Sequence, residues 1–178
     1  MDILHGDIKP ENVLVFKDNV GAYTARVTDF GYSTQFADKD YLLSVPNSWP
    51  WCAPEHNRDK FKPAQALKMD VFSFGMLCLW VMFEQHLSGI APLPQDMRWA
   101  GQYFLGKEDK HLSKRVLEGL KLEDKLGLFA QQLVMAEKDL DSDKRDALVH
   151  LFSTSLTSEP DRRARSLEHL LCYFTSNP

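Results

Sequence analysis

The stretch His5-Gly6-Asp7-Ile8-Lys9-Pro10-Glu11-Asn12 puts an acid, a cation two residues after it and an amide side chain five residues after it into one short loop. Together these are the polar equipment of phosphoryl transfer. Pro10 stiffens the loop by fixing φ and removing a donor. The apolar run Val13-Leu14-Val15-Phe16 that follows reads as a short buried strand able to anchor it. Acidic, basic and amide residues also crowd ordinary surface loops, and a His-x-Asp pattern alone does not separate the two cases.

The rest of the chain has the make-up of one globular domain. It has 178 residues, 44% of them hydrophobic, which is enough for a core. A net charge of -4 leaves no basic footprint for nucleic acid. Cys52, Cys78 and Cys172 lie far apart with no CxxC pair, which speaks against a zinc site or a disulfide framework and for a reducing, intracellular setting, cytoplasm or nucleus. Met1-Asp2-Ile3-Leu4 has neither the charged nor the apolar region of a targeting segment. The longest apolar stretch, Val71 to Phe83, is broken by Ser73 and Gly75 and reads as a core helix too short to span a membrane.

In chain order, Lys17-Asp18-Asn19-Val20-Gly21 is a polar turn, and Tyr23-Thr24-Ala25-Arg26-Val27-Thr28 is a second strand running into Asp29-Phe30-Gly31. A hairpin of the two strands brings Asp29 beside Asn12, where two oxygen ligands can share a metal ion. From Tyr32 to Cys52 no period holds. A long, mostly irregular loop is expected there, its end packed down by Trp49 and Trp51.

After Ala53-Pro54-Glu55, a polar stretch to Pro63 precedes a helix from about Lys68 to Gln85 that is apolar on nearly every face and so buried as the central post. Asp70 near its start needs a partner, because an unpaired buried carboxylate is costly, and the free amides of the helix N-terminus are one source. Gly89 to Gly106 reads as a loop leading into a short helix, and Lys107 to Lys138 as helix interrupted at Gly119 and Gly127. Asp141-Ser142-Asp143 reads as a cap before the apolar stripe Ala147, Leu148, Leu151, Phe152 and Leu156, which ends at Glu159-Pro160; Ser166 to Phe174 makes a last helix.

In order and spacing these segments resemble the large, C-terminal lobe of a eukaryotic-type protein kinase of the serine/threonine kind. His5 to Asn12 is similar to the catalytic loop and Asp29-Phe30-Gly31 to the metal-binding DFG. Ala53-Pro54-Glu55 is similar to the APE motif, and Asp70-Val71-Phe72-Ser73-Phe74-Gly75 to the start of the central helix. The resemblance covers residues 1–178, weakly between Ser88 and Asp141, and implies one α+β, mostly α lobe with a short β-hairpin.

It further implies that Asp7 accepts or orients the proton of the substrate hydroxyl, that Lys9 neutralises charge on the transferred phosphoryl group, and that Asn12 and Asp29 hold Mg²⁺. ATP is then the donor and a protein the substrate. Leu14 and Thr28 align with adenine-contacting positions, although a strand Leu and a strand Thr are equally natural there. Lys9, with Ser48 before the APE segment, is the serine/threonine pattern. Glu55 is expected to pair with Arg163, with Arg162 as the alternative, and Asp70 to accept bonds from the backbone of the catalytic loop.

The chain departs from the family pattern in two ways. It opens at the catalytic loop, so the small N-terminal lobe, with its Gly-rich loop, strand Lys and helix Glu, is expected to be absent. On that expectation the isolated lobe binds ATP weakly and exposes an apolar face that invites a covering partner or aggregation. Two other classes fit parts of the pattern. One is a non-catalytic pseudokinase or interaction lobe, against which the intact Asp7, Lys9, Asn12 and Asp29 stand. The other is a small-molecule phosphotransferase of the aminoglycoside or choline kinase type, where His-Gly-Asp followed by Asn also occurs. Lys9, the APE segment, Asp70 and Arg163 favour a protein substrate, with neither nucleic acid nor membrane as partner.

The second departure is Gly6, which stands where many such kinases carry an Arg that pairs with a phosphorylated loop. A site without that Arg is not switched in that way. Alanine at Ser33, Thr34, Tyr41 or Ser44 is therefore expected to leave the activity of the intact kinase nearly unchanged, and a large loss from any one contradicts this.

Overall fold

Pro63 opens the longest helix of the described chain instead of ending the stretch before it. The computed structural model describes residues 3–36, 38, 40–57, 60–105 and 110–175. In it, α1 runs from Pro63 to Leu87. The helix starts earlier than its apolar pattern predicts, because proline at the first helical position gives up an amide that has no intrahelical partner anyway. It ends at Ser88, after which Gly89 takes a left-handed φ of 74°. At 25 residues it is long and apolar enough, by length and composition, to cross a membrane, which corrects the expectation that it is too short. Its apolar side chains nonetheless go largely into the core, with Met69, Val71, Phe72, Met76, Leu79 and Phe83 all buried. Its exposed residues are Ala64 and Gln65 in the first turn and Val81, Met82 and Gln85 in the later ones.

Around this post pack α2 (Leu112–Leu122), α4 (Ser142–Ser155) and α5 (Leu167–Thr175), with α3 (Leu126–Ala136) lying against α4. Gly75 allows the close crossing of α1 and α4, since a Cβ there would overlap the Ser155 side chain. Asp141 caps α4 by accepting the Lys144 N–H at 2.8 Å, as its position predicts. The helix ends at Ser155, short of Glu159, and Pro160 instead opens a 3₁₀ turn over Pro160–Arg162.

Gly119 and Gly127 are not the interruptions expected; both lie inside helices, and the chain turns at Glu123 to Lys125 with Asp124 at φ 54°. Gly119 is where α2 meets the Tyr103 ring of the 3₁₀ segment Gln95–Phe104. The expected beginning of this region at Lys107 lies outside the described residues, as do Met1 and Asp2.

Among the described residues, four short strands complete an α+β, mostly helical lobe. β1 (Ile3–Leu4) pairs antiparallel with β4 (Thr34–Gln35), and β2 (Val13–Lys17) with β3 (Tyr23–Val27), Val13 facing Val27. Asp18 shapes the hairpin turn by accepting the N–H groups of Val20 and Ala22. β2 is not buried, contrary to expectation: Leu14, Val15 and Phe16 are exposed. A hairpin pairs its backbone but covers neither face, and among the described residues no layer lies over it. The Tyr32 to Cys52 segment is mostly irregular, as read, but contributes β4 and a bridge from Leu43 to Phe61. Trp51 packs down at its end, buried, whereas Trp49 stays exposed.

Two buried charged groups tie these pieces together. Arg163 is fully buried and forks onto Glu55 at 2.6 and 2.9 Å, while its other donors reach the carbonyls of Thr157, Ser158 and Lys68. Arg162 pairs with Glu159 instead. Asp70 accepts the His5 N–H at 2.7 Å and the Gly6 N–H at 2.9 Å. It is the eighth residue of α1, beyond the helix's free amides, so of the two donor sources only the loop backbone serves it.

Burial pushes the Asp70 carboxyl up to about 6, against the pull of those two amide bonds. A native pKa above the ordinary 3.8 means the folded state holds a proton that the unfolded state releases. The resulting stabilisation is full below about pH 4 and is lost as pH rises through about 6, a swing of up to about 3 kcal/mol. In urea titrations across this window, the stability of the native protein relative to Asp70→Asn is expected to fall as pH rises; a constant or rising difference contradicts the assignment.

Candidate active site

β1 delivers the chain into the loop, and Asp70 holds the loop's first two amides. Gly6 turns it with φ 81°, and a Cβ there would meet the Cβ and carbonyl oxygen of Tyr32 at 3.3 Å. Both facts favour glycine at this position. His5 is buried and serves both sides. Its Nδ1 accepts the Asp7 N–H at 3.3 Å and its Nε2 donates to the Thr28 carbonyl at 3.1 Å, which assigns the ring proton to Nε2.

The turn Pro10–Asn12 then brings Asn12 back under Asp7, with the Asn12 amide donating to the Asp7 carbonyl at 2.8 Å and to Oδ2 at 3.1 Å. Thr28 completes the join by donating its N–H to the Asn12 carbonyl at 2.8 Å and its hydroxyl to the same atom at 3.3 Å.

Asp7 is the focus of these bonds. It is buried, its Oδ1 accepts from Ser48 Oγ at 2.5 Å, and its Oδ2 accepts from Lys9 Nζ at 2.7 Å. Burial pushes its carboxyl up, but the bonds from Lys9 and Ser48, the Lys9 charge and the Asn12 bond together outweigh it and hold the group below its ordinary value. Asp7 is therefore a carboxylate at neutral pH, able to accept a proton. Lys9 also lies 3.4 Å from Ser48 Oγ. An acid, an ammonium and a hydroxyl thus share one point, and Lys9 and Ser48, which bond the buried Asp7, line an open cleft of about 420 Å³ together with Glu11, Asn12, Trp49 and Trp51.

Of the residues predicted from the sequence, Asp7, Lys9 and Asn12 are brought together directly. Asp29 follows the Thr28 that pairs with Asn12, so the hairpin brings the two metal-ligand candidates to the same end. It sits in left-handed backbone at φ 63°, is exposed, and accepts the Gly31 N–H at 3.3 Å. Thr28 faces the loop. Leu14 lies apart, half exposed on β2 opposite Arg26.

For a metal ion, the Asn12 amide nitrogen is spent on Asp7, which leaves its oxygen as the ligand atom, and Asp29 is an open carboxylate. Hard oxygens in that number fit Mg²⁺, which takes one or two carboxylates and completes its shell with water and substrate phosphates. No group of three or more His, Cys, Asp or Glu is placed to hold a metal among the described residues, so a self-contained protein cage is not what these residues build.

Sequence reading missed Lys121. Its Nζ is buried and donates to the Pro50 and Cys52 carbonyls at 2.8 and 3.2 Å, behind the cleft wall. The signal was available: Lys121 follows Leu117 by one helical turn, on the buried face of α2.

Comparison with known proteins agrees with this geometry. The protein kinase domain family model matches residues 1–164. Mitogen-activated protein kinase kinase kinase 13-B of Xenopus laevis is 40% identical over 78 residues, covering 44% of this chain and 7% of that protein. A probable serine/threonine-protein kinase of Dictyostelium discoideum is 33% identical over 81 residues, 46% of this chain and 11% of its own. Mitogen-activated protein kinase kinase kinase 12 of Rattus norvegicus is 36% identical over 78 residues, 44% and 8% respectively. The chain thus aligns with about a tenth or less of each of these relatives. With the His5–Asn12 loop, the Asp29 turn, the Glu55–Arg163 pair and the Asp70 tether assembled as one unit, the chain belongs to the protein kinase family.

Proposed function

We propose that this chain is the large lobe of a serine/threonine-protein kinase that transfers the γ-phosphoryl group of ATP to a protein hydroxyl. The observation that supports it most is Asp7: a buried carboxylate kept ionised by Lys9 and already bonded to a hydroxyl, directly behind Lys9 and Ser48 of a cleft open to solvent. An acceptor hydroxyl that takes the place of Ser48 Oγ at Oδ1 gives its proton to Asp7 as its oxygen bonds to the γ-phosphorus. The bond from that phosphorus to the bridging oxygen breaks, and ADP leaves. Lys9 supplies positive charge where the three phosphoryl oxygens gather. Asn12 and Asp29 are the groups that would hold Mg²⁺, which when bound neutralises the phosphate charge.

The serine/threonine choice is supported by Lys9 two residues after Asp7, by Ser48, and by the relatives' names. No Gly-x-Gly pattern occurs in the sequence, so groups that cradle the α- and β-phosphates are to be supplied by chain or partner outside these residues. The exposed apolar side chains of the hairpin and of Phe30 and Tyr32 form the face on which such a segment or partner would sit. The same reading implies an intracellular protein, in cytoplasm or nucleus, in keeping with Cys52, Cys78 and Cys172 forming no disulfide among the described residues.

The test is transfer of labelled phosphate from Mg-ATP by the intact protein to a generic basic protein, run beside an amino sugar and choline, with phosphoamino-acid analysis of the product. Phosphoserine or phosphothreonine is expected. Transfer to the small molecules alone, or phosphotyrosine alone, contradicts the proposal.

A further inference from the structure

Three successive carbonyl oxygens behind the cleft, those of Pro50, Trp51 and Cys52, are each taken by a helix side chain. Lys121 of α2 donates to Pro50 at 2.8 Å and to Cys52 at 3.2 Å, and Ser73 of α1 donates to Trp51 at 2.9 Å. The Lys121 side chain is only 5% exposed, and its ammonium lies 2.6 Å from a Glu118 carboxylate oxygen. Lysine is almost never buried unless it is paired. Here the Glu118 charge balances the ammonium, and the remaining donors are committed to the backbone of this one turn.

The same face of α2 reaches the cleft a second time. Lys114, two helical turns before Lys121, pairs with Glu11 of the catalytic loop at 3.1 Å and lies 5.9 Å from the centre of the Trp51 ring. The turn that Lys121 holds is directly joined to the reacting point. The Cys52 N–H bonds the Ser48 carbonyl at 3.0 Å, and the Ser48 hydroxyl meets Asp7.

We propose that Lys121 is a positioning residue for the protein substrate. By holding the carbonyls of Pro50 and Cys52, it fixes the turn that carries Ser48 and Trp49. In doing so it sets the cleft wall against which an acceptor segment lies, without itself touching the acceptor. The inference rests on the kinase reading above.

The test is Lys121→Met in the intact protein, which keeps the aliphatic stem and removes the donors. Hydrogen exchange of the amides in 46–52 is expected to accelerate about tenfold or more while those of α3 and α4 hold their rates. The KM for the protein acceptor is expected to rise about tenfold, with kcat and the KM for ATP changed less than about threefold. A purely structural role would instead speed exchange throughout and lower kcat with the folded fraction.

Where Lys121→Met alone fails to fold, Lys121→Met combined with Glu118→Gln, which removes the carboxylate left without its cation, carries the same readouts. Unchanged exchange in 46–52, faster exchange with an unchanged acceptor KM, or failure of both variants to fold overturns the proposal. Faster local exchange in a protein whose native form phosphorylates no protein retains the clamp and overturns the kinase reading instead.

Discussion

A carboxylate placed among apolar side chains inside a buried helix demands donors, and Asp70 finds them in the amides of His5 and Gly6. The positions of the other polar groups follow from that constraint. The tether fixes where the loop begins, and Gly6 then turns it with a backbone angle that few other residues adopt. Asp7 emerges facing Lys9, Asn12 and Ser48. The core helix is thus what holds the Asp7 carboxylate in register, because α1 is itself clamped by α2, α4 and α5.

The cleft has a second wall, and it is held by the same kind of device. The segment leading to Ala53 has little regular structure of its own, so its backbone groups must be satisfied from outside. Lys121 and Ser73 do this for three carbonyls in a row, and Arg163 bridges Glu55 just beyond to the end of the chain's last loop. Buried charged side chains bonded to backbone groups, Asp70 to amides and Lys121 to carbonyls, therefore hold both sides of the Asp7 cluster. Each is costly to leave unpaired, so the arrangement has few ways to relax.

That the polar residues of the loop come together was legible in the sequence, because it depends on residue type and short spacing. Asp7, Lys9 and Asn12 lie within one loop, and the Glu55–Arg163 and Asp70 contacts follow once the segments are assigned to a lobe. What could not be read was set by tertiary surroundings. The apolar run of β2 looks like a buried strand, yet Val15 stays exposed because nothing described covers the hairpin. Gly119 looks like a helix break but answers the Tyr103 ring, while the true turn lies at Asp124. Pro63 looks like the end of a loop and is the first residue of α1. Lys121 was legible as a buried position one turn after Leu117, but not the carbonyls of Pro50 and Cys52 that bury it.

The proposed reading gives Asp7 the role of receiving a proton while phosphate is transferred, and the bonds from Lys9, Ser48 and Asn12 maintain the charged form that this role needs. The most direct measurement is the rate of phosphoryl transfer from Mg-ATP to a protein acceptor by the intact protein and by its Asp7→Asn variant, which keeps the shape and removes the base. The account predicts a fall in kcat of about 10²-fold or more with little change in the KM for ATP. A variant that transfers phosphate at the native rate would contradict it.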